Sequence, residues 1–67
     1  MDSILSLAEV RKAKGFTQES LAKRSGVHRV SIARYETGKA SPNLRTLERL
    51  SDALGVPITA LTKKKVG

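Results

Sequence analysis

The stretch Thr17–Gly38, TQESLAKRSGVHRVSIARYETG, decides the fold. Two short amphipathic segments meet at Gly26, and the second carries Arg29 and Arg34 on what becomes its outer face. Counted from Gln18, the fifth residue is Ala22, the ninth Gly26 and the fifteenth Ile32. Two helices that cross closely need a small residue at the crossing and a glycine where the chain turns sharply. They also need a β-branched apolar residue to anchor the second helix to the core. All three requirements are met at these three positions. The spacing predicts a helix-turn-helix, and with it a DNA-binding domain.

Outward from this stretch the periodicity stays helical. No run alternates with period two, and no Asn-Gly or Asp-Gly pair marks a hairpin. A first helix is expected over 3–14, with Ile4, Leu7 and Val10 as its apolar stripe and Arg11 beside it. Lys12 and Lys14 suit its C-terminal end, and Gly15 stands where a left-handed cap residue is expected. The second helix is expected over 18–25, capped by Thr17, with Leu21 and Ala22 inward; the third over 28–36, with Ile32 and Tyr35 inward. The segment TGKASPN (37–43) is a loop by composition. Asn43 is a good N-cap for a fourth helix over 44–54, whose Leu44, Leu47, Leu50 and Leu54 form the apolar face. Gly55 stops it, and Pro57 fits the first turn of a fifth helix over 57–62. The expected fold class is all-α: five short helices around one Leu/Val/Ile core, one domain over 1–62, and a basic tail over 63–67.

Composition narrows the function. Sixty-seven residues make one small domain. A chain of this length buries only about 60% of its unfolded surface, so its stability is marginal unless it dimerises. Thirteen Lys and Arg against six Asp and Glu give a net charge of +7, a field that attracts polyanions. With two aromatics, Phe16 and Tyr35, the chain is poor in the rings on which RNA and single-strand readers stack bases. There is no Cys, and the single His28 has no clustered carboxylates beside it, so neither a metal nor a cofactor is expected. The apolar stretch from Ile4 to Val10 is broken by Ser6 and Glu9, which excludes a membrane span there. It also fits poorly with a signal peptide. The expected location is the cytoplasm, at the nucleoid.

The order Gly15-Phe16-Thr17-Gln18-Glu19, Leu21-Ala22, Gly26-Val27, Ser31-Ile32, Tyr35-Glu36, Gly38-Lys39 and Pro42 continues through Leu47, Leu50 and Ala53-Leu54-Gly55-Val56. This set, spanning about residues 4–61, resembles the Cro and phage-repressor class, also called the Xre family. The resemblance implies a five-helix fold whose third helix lies in the major groove. It also implies symmetric dimers on half-sites one helical turn apart. Two departures stand out. Ser20 replaces a Glu that often completes a capping box, so the reciprocal bond to the Thr17 backbone is expected to be lost. Ala8 stands where a cation is common on the first helix, removing one possible phosphate contact.

Candidate DNA contacts divide into two kinds. With Ile32 and Tyr35 inward, Arg29, Val30, Ala33 and Arg34 are outward on the third helix. An arginine donates two hydrogen bonds to guanine O6 and N7, and a valine can only meet a thymine methyl. The plain alternative for each arginine is a phosphate contact or a solvated side chain. Phosphate contacts are expected at Gln18, His28, Ser31, Lys39, Ser41 and Asn43. Gln18 and Asn43 are chosen because they open helices whose free N–H groups suit an anion. His28 has a second reading as a cap, and Ser31 a second reading as packing. Lys23 and Arg24 either add charge or only complement the end of the second helix.

The family resemblance makes Arg11 and Glu36 a structural ion pair holding the third helix to the first. It makes Val56, Ile58 and Leu61 either core or the contact between two copies. Lys63-Lys64-Lys65 would add unspecific phosphate attraction or serve solubility.

The leading functional expectation is a sequence-specific double-stranded-DNA-binding transcriptional regulator, most simply a repressor and homodimer. No small-molecule ligand is evident. Alternatives are an antitoxin, a restriction-modification controller, or an unspecific binder of polyanions or membrane surfaces. An enzyme is not expected: no nucleophile–base set, phosphate-cradling glycine loop or metal-ligand spacing occurs.

Overall fold

The computed structural model describes residues 6–62. Five helices follow in order: α1 Leu7–Ala13, α2 Gln18–Ser25, α3 Arg29–Glu36, α4 Leu44–Leu54 and α5 Ile58–Leu61. Leu7, Leu21, Val27, Ile32, Leu50, Leu54 and Leu61 form the buried core, one or more from every helix plus Val27 from the turn between α2 and α3. Val10, Phe16, Ala22, Tyr35, Leu47, Ala53 and Val56 pack around it. α2 lies against both α3 and α4, and α1 bridges α3 and α5.

The best-defined helices have a chemical stop at both ends. Thr17 caps α2 by accepting the Ser20 N–H at 3.0 Å, and Gly26 ends it at φ +74°, its own N–H reaching the Ala22 carbonyl at 2.9 Å. A Cβ on Gly26 would meet only Arg49 Nη1 at 3.8 Å, an ordinary contact. The left-handed backbone, not crowding, is therefore what asks for glycine there. Asn43 likewise caps α4, with Oδ1 accepting the Thr46 N–H at 2.8 Å, and Gly55 closes it at φ +70°.

Several expectations are corrected. α1 begins at Leu7, because the Ser6 N–H is given to the Leu61 carbonyl at 2.8 Å, which ties the start of α1 to the end of α5. Residues 3–5, Ile4 among them, and the tail 63–67 lie outside the described residues. His28 and Pro57 precede their helices as caps rather than opening them, both with extended backbone (ψ 140° and 155°). The capping box that Ser20 was expected to break is present: its Oγ accepts the Thr17 N–H at 2.9 Å.

Leu44 is not buried; it is 63% exposed. Leu44 is the first residue of α4, seven before the buried Ser51 and so only about 20° around the helix from it; its place at the helix end, not its rotation, leaves it exposed. Ser51, two turns further along the same side, is buried, its hydroxyl donating to the Glu48 carbonyl at 3.0 Å.

Candidate nucleic-acid interface

Ile32 sets the orientation of α3. It is fully enclosed, so the residues about 160–200° around the helix from it, Val30 and Arg34, must face outward. Arg29, Val30 and Arg34 are exposed, Val30 at 49%, and Ala33 and Ser31 are half-buried on the flanks. All four expected base-reading positions are thus accessible, and a small Ala33 lets the helix backbone approach a surface closely. The only ion pair among the described residues is Arg11–Glu36, so the guanidiniums of Arg29 and Arg34 are not neutralised by a neighbouring carboxylate.

His28 caps α3: Nδ1 accepts the Val30 N–H at 3.4 Å. With Nδ1 accepting, Nε2 is the ring nitrogen left to donate to a phosphate. The cap and phosphate readings of His28 are therefore compatible.

The candidate phosphate contacts sit at helix starts and in the loop after α3. The first N–H groups of a helix have no carbonyl partner within it. In α2 and α4 the third is taken by Thr17 or Asn43, leaving Gln18 and Glu19, and Leu44 and Arg45, to offer theirs outward. The loop doubles back on α3, with the Lys39 and Ala40 N–H groups both reaching the Arg34 carbonyl at 2.9 and 3.3 Å. This fixes exposed Lys39 just beyond the end of α3, and Ser41 follows it, also exposed.

Gln18 is only half available. Its Nε2 donates to Glu36 Oε1 at 3.0 Å, so a phosphate would meet its backbone N–H and the second amide hydrogen. The same carboxylate receives Arg11 Nε at 2.6 Å and Nη2 at 3.2 Å, while Arg11 Nη1 donates to the Phe16 carbonyl at 2.8 Å. Both charged side chains are at most 10% exposed. One buried network thereby ties α1, the start of α2 and the end of α3. The parts played by Gln18 and Phe16 in it were not visible from spacing, because the bond from Gln18 spans 18 residues and the Phe16 acceptor is a main-chain atom.

One other expectation changes and one is extended. Leu61 is fully buried and cannot take part in a contact between copies, whereas Val56 and Ile58 remain partly accessible. Arg24 stands in the last turn of α2, as expected, and also reaches across to α4. Its Nε donates to the Ala53 carbonyl at 3.2 Å, in the last turn of α4, where a cation offsets the negative end of that helix. Among the described residues no group of three or more His, Cys, Asp or Glu is placed to hold a metal.

Comparison with known proteins agrees with this geometry. The family model described as helix-turn-helix matches residues 7–61. The chain is 42% identical over 57 residues to the SPbeta prophage-derived uncharacterized HTH-type transcriptional regulator YonR of Bacillus subtilis, covering 85% of this chain and 53% of that protein. It is 36% identical over 55 residues to the cryptic phage CTXphi transcriptional repressor RstR of Vibrio cholerae, covering 82% and 50%. The chain thus spans about half the length of these two relatives. Among solved structures it is similar to the restriction-modification controller protein C.AhdI from Aeromonas hydrophila, with a TM-score of 0.78 and 35% identity over 81% of this chain and 82% of that one. With the five helices, the enclosed Ile32 and the turn at Gly26 in their places, the chain belongs to the helix-turn-helix family of the Cro and phage-repressor (Xre) type.

Proposed function

We propose that this chain is a sequence-specific double-stranded-DNA-binding transcriptional regulator that represses by occupying an operator as a symmetric homodimer. The observation that carries the reading is the outer face of α3, where Arg29, Val30 and Arg34 are exposed and neither arginine pairs with a carboxylate among the described residues. That face combines guanine-type donors with an apolar contact, the two chemistries that distinguish base pairs in the major groove. Gln18, His28, Ser31, Lys39, Ser41 and Asn43 supply phosphate contacts that fix the register. Two copies would meet through Val56 and Ile58, the accessible members of the C-terminal apolar set. Its place of action is the cytoplasm, on the chromosome; no helix among the described residues is long and apolar enough to cross a membrane.

Selection of duplexes from a random pool at near-physiological salt tests the reading. The expected result is a palindrome with half-sites about one helical turn apart. Salt-sensitive binding with no enriched motif would overturn it. Within the same assay, Lys39→Ala is expected to weaken all duplexes alike and to lower the salt slope by about one unit. An unchanged slope would remove Lys39 from the phosphate set.

A further inference from the structure

Val30 is the one large apolar side chain exposed on α3, and it sits among cations. Arg34 lies four residues on, so the two are stacked neighbours on one face, whereas Arg29 is about 100° away. Helical side chains lean toward the N-terminal turn, which carries the stem of Arg34 over Val30 rather than away from it. Ala33 beside them adds no bulk. At this i, i+4 spacing Val30 is an apolar neighbour to the Arg34 side chain on the outer face.

That pairing has a specific complement in DNA. An arginine bound to guanine O6 and N7 lies in the plane of that base. Neighbouring bases on one strand are 3.4 Å apart, which is contact distance for a group lying against the guanidinium face. When a pyrimidine precedes the guanine, the right-handed twist brings its 5-methyl group over the N7/O6 edge. Resting on the DNA-binding reading above, we infer that α3 reads a two-base step in which a 5-methylpyrimidine lies directly 5′ of a guanine on the same strand. Arg34 takes the guanine, and Val30 encloses the methyl against the guanidinium. The methyl belongs either to thymine or to 5-methylcytosine. Methylation of cytosine before guanine therefore strengthens binding at that step.

The test uses the full chain and the duplex enriched by selection. Each thymine is replaced singly by deoxyuridine, and each T·A pair by C·G or by 5-methylcytosine·G. One position per half-site is expected to lose about fourfold in affinity with deoxyuridine, the effect of one buried methyl. The same position is expected to lose affinity with cytosine and to recover it with 5-methylcytosine. Val30→Ala is expected to flatten these differences while keeping its helical circular dichroism. The sensitive position must lie directly 5′ of the guanine whose replacement Arg34→Ala no longer feels.

No deoxyuridine penalty at any thymine, or a sensitive thymine elsewhere, would overturn the inference and leave the regulator reading standing. Recovery by thymine alone would assign the methyl to thymine and overturn the methylation response. Failure to enrich any motif would instead overturn the regulator reading, and this inference with it.

Discussion

Glu36→Ala is expected to destabilise the domain by about 3–5 kcal/mol, the cost of leaving a buried charge without its partner. The Glu36 carboxylate accepts three hydrogen bonds, two from Arg11 and one from Gln18. Its loss leaves the Arg11 guanidinium, 10% exposed, with the Phe16 carbonyl alone. A domain of 67 residues has roughly 3–10 kcal/mol in total, so most of its stability would go. Urea unfolding followed at 222 nm measures this directly; a loss below about 1 kcal/mol would show the network to be dispensable. Replacing both charges, Arg11→Met with Glu36→Leu, is expected to recover much of the loss, because nothing charged then stays buried unpaired. DNA binding lost in Glu36→Ala accordingly reports misfolding, not a missing contact.

The parts of the fold most legible in the sequence are those marked by local chemistry at both ends. α2 lies between Thr17 and Gly26 and α4 between Asn43 and Gly55, and both fall on their expected bounds. α3 and α5 start one residue late, because periodicity does not separate a cap from a first turn. His28 and Pro57 are apolar-compatible neighbours of a helix, yet their extended backbone keeps them out of it. Leu44 departs from its expected place because it is the first residue of α4: periodicity puts it on the side where Ser51 is buried two turns on, but at the helix end it stays exposed. Leu61 belongs to a helix of four residues, too short for an amphipathic pattern, and the packing of α5 against α1 and α4 encloses it. The Gln18–Glu36 bond and the reach of Arg24 to Ala53 are long-range in sequence, and no local signal carries them. The outward set on α3 was readable because a single anchor, Ile32, fixes the rotation of the whole helix.

Arg34→Ala is expected to lose about 5–150-fold in affinity for the selected duplex, the worth of one bidentate guanine contact. Its loss on unrelated DNA should be small by comparison. The residue stands nearly opposite Ile32, is exposed, and pairs with no carboxylate among the described residues, so its removal costs the fold little. Arg29→Ala is expected to act at a different base pair, since the two side chains leave α3 about 140° apart. Arg34→Lys separates base reading from simple charge. A lysine keeps the attraction to phosphate, and so the salt slope, but lacks the planar fork that matches O6 and N7. The expected outcome is lost discrimination at one position with an unchanged slope. Equal weakening on every duplex, together with a slope lower by about one unit for Arg34→Ala, would move Arg34 from the bases to the phosphates beside Lys39.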